Sequence, residues 1–212
     1  MAFTNTPFGF RQFQGTGSAP TYEQVTLGNG GIDYNATVIY WGDPVVRAGS
    51  GDGTIKQAAG SAGSSSVVMA GVFYGCKYLS TTSKTTTWSN YWPGGSPVSS
   101  GNQSTIEAYI VNDPNAQFLA QSDSTGLAQA DVGSNIDFNI GTGTAANGQS
   151  GAFLIHGGAT TSGYPFRLVS LWYGPPGSNG ATSPGTIAAV AYNYGVVAFS
   201  NVETKNLTAG NT

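Results

Sequence analysis

Residues 67–74 read Val67-Val68-Met69-Ala70-Gly71-Val72-Phe73-Tyr74, a run that is apolar at odd and even positions alike. A strand with one wet face alternates apolar and polar residues; this run offers solvent nothing on either side and predicts a strand covered on both faces. Phe166-Arg167-Leu168-Val169-Ser170-Leu171-Trp172 alternates instead, placing Phe166, Leu168 and Ser170 on one face. Similar four-to-eight-residue runs, each closed by Gly, Pro, Asn or Ser, recur along the chain, and long 3.6-residue periodicity is absent. Strands are expected over 22–27, 37–41, 45–48, 54–57, 67–74, 86–91, 105–111, 116–120, 135–140, 151–155, 166–172, 186–191 and 196–202. One helical turn is expected at 126–130. The fold class expected is all-β, a multi-stranded barrel or sandwich body with very little helix.

Composition supports that class and narrows function. Gly, Ser, Thr and Asn supply 92 of 212 residues, and only 8% are charged, roughly a third of the usual share. Low aliphatic content signals disorder when net charge is high, but here the formal charge is −3 and Tyr, Phe and Trp number 11, 10 and 4, so the chain folds. Seven scattered basic residues cannot form a stripe for phosphate backbones, which argues against nucleic acid. No run of about 18 apolar residues suits a membrane span. The first fifteen residues lack the continuous apolar stretch of a secretory signal, so none is expected. Much of the glycine reads as turns: 49–53 with its Asp-Gly step, 28–31, 141–143 and 146–148. The segment 173–180, with Gly174-Pro175-Pro176-Gly177, reads as a surface loop.

Three regions follow. Residues 1–20 carry Phe3, Phe8, Phe10 and Phe13 among polar residues and are expected to form an extended aromatic arm that seeks a partner surface. Residues 21–202 form the β-rich body, with a subdomain break expected near 94–101, where Pro93-Gly94-Gly95-Ser96-Pro97 precedes a Ser-Ser-Gly-Asn run. Residues 203–212 form a polar tail.

Catalysis finds few bases. The one histidine, His156, reads as a strand-end residue, and Gly148-Gln149-Ser150-Gly151 lacks nucleophile-elbow spacing. Most of the ten acids sit beside turn formers; Asp43 before Pro44 and Asp113 before Pro114 read as caps of their own turns. No calcium-loop or phosphate-loop motif occurs. The single cysteine, Cys76, rules out an intrachain disulfide and reads as a small buried hydrophobe. No enzyme activity, cofactor or metal is expected. The sequons at Asn35, Asn102 and Asn206 are what so Asn- and Thr-rich a chain produces by chance. Trp88, Tyr91 and Trp92 cluster in sequence, and Trp172 sits beside the Gly-Pro-Pro-Gly loop. Packing accounts for such residues in most proteins, and sugar stacking is the alternative.

In order along residues 5 to about 156, the chain carries Asn5-Thr6-Pro7-Phe8-Gly9-Phe10-Arg11, Ile39-Tyr40-Trp41-Gly42-Asp43-Pro44-Val45-Val46, the Gly53-Thr54-Ile55 turn and Ala70-Gly71-Val72-Phe73-Tyr74-Gly75-Cys76-Lys77-Tyr78. Then follow Tyr91-Trp92-Pro93-Gly94-Gly95, Ala108-Tyr109-Ile110-Val111-Asn112-Asp113-Pro114-Asn115 and Gln129-Ala130-Asp131-Val132-Gly133. This series resembles a group of tailed-bacteriophage capsid decoration, or cement, proteins. The carboxyl third departs from the family's pattern. The resemblance implies a noncatalytic virion protein that binds the outer surface of the assembled head, bridges major capsid protein subunits and stabilises the shell. It also implies synthesis in the host cytoplasm without a signal peptide; a homo-oligomer, dimer or trimer, is expected. On that reading Phe3, Phe8, Phe10, Arg11 and Phe13 would anchor the arm to the capsid, and removal of residues 1–20 would leave the body folded. The alternative, from a different class, is a β-sandwich carbohydrate-binding module, displayed on the virion for host attachment, that stacks sugars on Trp88, Tyr91, Trp92 or Trp172.

Overall fold

The computed structural model describes residues 4–14, 23–25, 31–49, 53–60, 67–98, 100–156, 163–172 and 188–205. Within them the chain is almost entirely β, with two short 3₁₀ turns at Ser100–Thr105 and Gln129–Asp131. In chain order the strands are β1 Arg11–Gln14, β2 Glu23–Val25, β3 Pro44–Arg47, β4 Ile55–Gln57, β5 Gly71–Leu79, β6 Thr86–Ser89, β7 Glu107–Val111, β8 Gln117–Gln121, β9 Asn135–Thr144, β10 Gln149–Ile155, β11 Phe166–Leu171 and β12 Tyr194–Phe199. The first sheet, curled into a half-barrel, has the order β1-β8-β12-β11-β9-β10; the second has the order β2-β7-β5-β3-β4, with β6 on the far end of β5. The ladders are antiparallel throughout.

Two cores result. One packs Phe118, Phe138, Phe166 and Phe199 of the first sheet against Met69, Val72 and Val111. The other packs Phe73, Cys76, Tyr78, Ala108 and Ile110 of the second sheet under Ile32, Ile39, Trp92, Val98 and Ile106. Met69 and Val72 thus enter one core while Ala70 and Phe73 enter the other, so the run that opened the sequence is covered on both faces. Its ladder begins only at Gly71 and extends to Leu79, because residue 69 makes just an isolated bridge to Val202.

Register shifts set which residues face inward. In β11 the pairing skips from Leu168–Val197 to Ser170–Val196, so Val169 is an extra residue. A bulge inverts the two-residue phase beyond it. Leu171 is therefore buried and Ser170 only half-buried, a correction to the face expected from simple alternation.

Other expectations shift for similar reasons. Residues 37–41 make only the bridges Ile39–Trp92 and Trp41–Gln149, since Asp43 turns the chain back on Tyr40. Gly141 and Gly143 lie inside β9, not in a turn; a Cβ on Gly141 would sit 2.7 Å from the Gly151 carbonyl oxygen of the neighbouring strand. Of the strand expected at 186–191, residues 188–189 form a turn and 186–187 lie outside the described residues. The loop at 173–180 and residues 206–212 of the tail also lie outside them. The chain passes from the second sheet to the first between β7 and β8, downstream of 94–101. In its place, residues 100–105 form a 3₁₀ turn that leads into β7.

The free aromatic arm is also corrected. Arg11–Gln14 is an edge strand on β8. Phe10 is 1% exposed; its ring stacks on Phe166 at 4.4 Å and meets Phe118 and Phe138 edge-on at 6.5 and 6.3 Å. A ring of that area gains more from a waiting aromatic pocket in its own chain than from water. Phe10→Ala is expected to cost about 3–5 kcal/mol, read as a lower denaturant midpoint. Removal of residues 1–14 is expected to abolish cooperative unfolding, and a deletion that melts like the full chain would restore the free arm.

Candidate functional site

The second sheet turns one face away from its core, and two of the three exposed large hydrophobics among the described residues, Tyr74 and Trp88, belong to its strands. Its construction depends on a second bulge. β5 pairs Phe73 with Ile110 and then Gly75 with Tyr109, leaving Tyr74 as the extra residue. Phe73, Cys76 and Tyr78 can then all point into the core, while Tyr74, Gly75 and Lys77 face outward. On the flanking strands, Trp88 of β6 and Glu107 of β7 both pair with Lys77.

The outward residues form a groove of about 350 Å³ lined by Tyr74, Gly75, Cys76, Trp88, Ser89, Asn90 and Tyr109. Trp88 is 66% exposed, and its ring lies within 16° of parallel to that of Tyr109, centroids 5.7 Å apart. Gly75 pairs with Tyr109, and a Cβ there would fall 3.0 Å from the Ser89 carbonyl oxygen of β6. Lys77 Nζ sits 2.6 Å from Glu107 Oε1 and 5.2 Å from the Trp88 ring centroid. The Tyr109 hydroxyl donates to Glu107 Oε2 at 3.2 Å. At the groove's end Tyr74 meets Trp41 edge-on at 5.8 Å, and the Arg11 guanidinium covers Trp41 at 3.5 Å. Burial pulls the Arg11 pKa down to about 10, with Tyr74 and Asp43 acting in the opposite direction, so Arg11 remains a cation at neutral pH.

Beneath Arg11 the two sheets are joined by a buried carboxylate. Asp43 is fully buried; its Oδ1 accepts from Ser150 Oγ at 2.5 Å, and its Oδ2 accepts from Tyr40 N at 2.8 Å and Gln57 Nε2 at 2.7 Å. Desolvation raises its pKa above the ordinary carboxylate value, and these hydrogen bonds only partly oppose the rise. Ser150 is also buried, so neither member of the pair meets solvent.

Of the residues that sequence singled out for sugar stacking, Trp88 alone lies in the groove. Trp92 is 0% exposed in the second core, edge-on to Tyr78, and cannot meet a ligand. Its place between Ile39 and the sheet buries more apolar area than exposure would allow. Tyr91 stacks on Tyr40 at 5.9 Å, and Trp172 packs edge-on to Phe13 at 5.1 Å beside the first sheet. The arm residues disperse as well. Phe8 stacks on Tyr194 at 5.9 Å, Phe10 is core, Arg11 covers Trp41, Phe13 is 44% exposed, and Phe3 lies outside the described residues. Tyr74 and Tyr109 were hidden inside strand-like runs; only cross-strand register sets them beside Trp88.

The other polar groups singled out in the sequence, His156 and the turn acids, lie apart from the groove. His156 Nε2 lies 3.0 Å from Asp131 Oδ2, and its backbone N–H donates to Asp123 Oδ2 at 3.0 Å, as suits a strand end. Asp33, Asp113 and Asp123 each accept from the backbone two residues on at 2.9 Å. Cys76 is 1% exposed and burial pushes its thiol pKa up. Among the described residues no group of three His, Cys, Asp or Glu could hold a metal ion, and no helix is long and apolar enough to cross a membrane. Comparison with protein-family models, curated proteins and solved structures found no match.

The Asp43 site makes a signed prediction. Its folded pKa exceeds the unfolded value, so folding takes up a proton and stability gained from this group appears as pH falls through the raised pKa, complete below about 4. Asp43→Asn keeps an acceptor for Tyr40 and Gln57, and the Ser150 hydroxyl can turn to accept from the new amide. Asp43→Asn should therefore stay within about 1 kcal/mol of wild type near pH 7, whereas Asp43→Ala, which strands three buried donors, should cost about 3 kcal/mol or more. Urea unfolding at pH 7 and pH 4 checks both, with wild type gaining on Asp43→Asn at the lower pH.

Proposed function

We propose that this chain is a noncatalytic virion structural protein, a capsid decoration protein that seats on the outer surface of a tailed-phage head, bridges major capsid protein subunits and stabilises the shell. One observation carries most weight: the sequence motifs that resemble that family fall on the residues that build the scaffold. Phe10 fills the first core, Trp41 to Asp43 cross between the sheets, Ala70 to Tyr78 form the doubly covered strand, and Ala108 to Val111 pair with it. A resemblance concentrated there supports a shared architecture and, with it, the shared role.

The charge economy fits the same role. With 8% charged residues, the body offers neighbours a mostly neutral polar surface, suited to repeated contacts that are individually weak and jointly firm on an array. For the capsid contact, Phe8 and Phe13 replace the five-residue arm, since both keep part of their rings outside the core. A homo-oligomer of two or three copies is part of the proposal.

Purified protein added to empty heads lacking it is expected to co-sediment with them and to raise the temperature at which they rupture. Phe13→Ala should lower occupancy several-fold while the free protein's melting temperature changes by no more than a few degrees. Absence of co-sedimentation under all salt conditions tried would overturn the proposal.

A further inference from the structure

We infer that the groove over Gly75 is a binding site for a neutral pyranose, with Trp88 as its stacking face. Among the described residues, the large hydrophobics left exposed are Phe13, Tyr74 and Trp88, and two of these three line this one groove. Phe13 has a packing partner in Trp172; Trp88 has Tyr109 beside it and still leaves two thirds of its surface to water. An indole held that way on a paired strand is already ordered, so a ligand stacking on it need not pay to immobilise it.

The groove's chemistry selects the class of ligand. A pyranose has an apolar C–H face and a hydroxyl rim, and therefore needs a flat aromatic wall with polar groups at its edge. Trp88, stacked on Tyr109, supplies the wall; Ser89 and Asn90 line its edge, where Asn90 Nδ2 donates to the Asn147 carbonyl and Ser89 Oγ accepts from the Tyr91 N–H, so the Ser89 hydroxyl proton and Asn90 Oδ1 are the groups that face a sugar rim. The charges nearest the wall, Lys77 and Glu107, compensate one another at 2.6 Å, and Arg11, at the far end, lies over Trp41 in the field of Asp43, so the wall itself offers no unpaired charge to a phosphate, sulfate or carboxylate. That also disfavours a nucleic-acid strand, whose bases stack well on aromatics but whose backbone needs a positive track. The volume of about 350 Å³ lies at the small end of ligand sites and suits one or two sugar rings. This inference does not rest on the capsid reading: the groove is on the isolated chain, and a sugar can bind there whether or not the body seats on a head.

The test is a titration of the full-length protein with neutral oligosaccharides, namely maltotetraose, cellotetraose, mannotetraose and chitotetraose, followed by tryptophan emission and by ligand-observed saturation-transfer NMR. At least one is expected to bind saturably with a dissociation constant on the order of a millimolar. Trp88→Ala should weaken it at least tenfold and Tyr109→Ala several-fold, with Trp172→Ala unchanged. Because Trp88 is largely exposed, its variant should keep the wild-type melting curve; Trp88→Phe, which restores a stacking face, should recover part of the affinity. No binding by any of the four sugars, or binding indifferent to Trp88→Ala, overturns the inference. A concentration-dependent dimer in sedimentation equilibrium that Trp88→Ala abolishes would overturn it too, by giving the groove to a second copy.

Discussion

Asp43 places a carboxyl group where water does not reach, and the two sheets meet around it. Its oxygens accept from Tyr40, Gln57 and Ser150, so segments distant in sequence share one acceptor. Around it Phe10 N–H donates to the Gly42 carbonyl, Gly9 N–H to the Ala152 carbonyl and Trp41 N–H to the Gly148 carbonyl. Gly9 and Gly42 sit at φ +76° and +95°, and a Cβ on Gly9 would fall 2.6 Å from Ser150 Cβ. Side chains there would drive the crossing strands apart. The burial of Phe10, the position of Arg11 over Trp41 and hence the edge of the aromatic groove all follow from that crossing.

The bulges at Tyr74 and Val169 have a comparable reach. Each adds a residue, and each exchanges the inside and outside of everything beyond it. At Val169 the result is a packing detail. At Tyr74 the exchange puts Phe73, Cys76 and Tyr78 into one core, and the same step leaves Tyr74, Gly75 and Lys77 facing Trp88 and Tyr109 across an open groove. Core and candidate site are thus two sides of one irregularity.

The scarcity of charge acquires a more specific meaning in this setting. Ion pairs that do occur hold segments in place: Arg47 grips Glu203 and the Gly53 carbonyl, joining the end of the described chain to β3, and Lys77 grips Glu107 across β5 and β7. Half-buried pairs of this kind contribute modestly to stability and more to register.

Local chemistry made much of the molecule legible in its sequence. Strand-length apolar runs, the self-capping turn at Asp113 and the buried Cys76 depend on near neighbours, and the sequence determined them, whereas Asp43, read as a cap of its own turn, accepts from Tyr40, Gln57 and Ser150. Residues that depend on pairing across the chain could not be placed that way. Phe10 looked like part of a loose arm because its pocket is built from Phe118, Phe138 and Phe166; Trp92 looked available because its cover comes from Ile39; Tyr74 and Tyr109 looked like strand filler. A two-residue repeat names two faces but not which one is inside, and a single extra residue reverses the answer. That choice is made by long-range register, which only the tertiary structure decided.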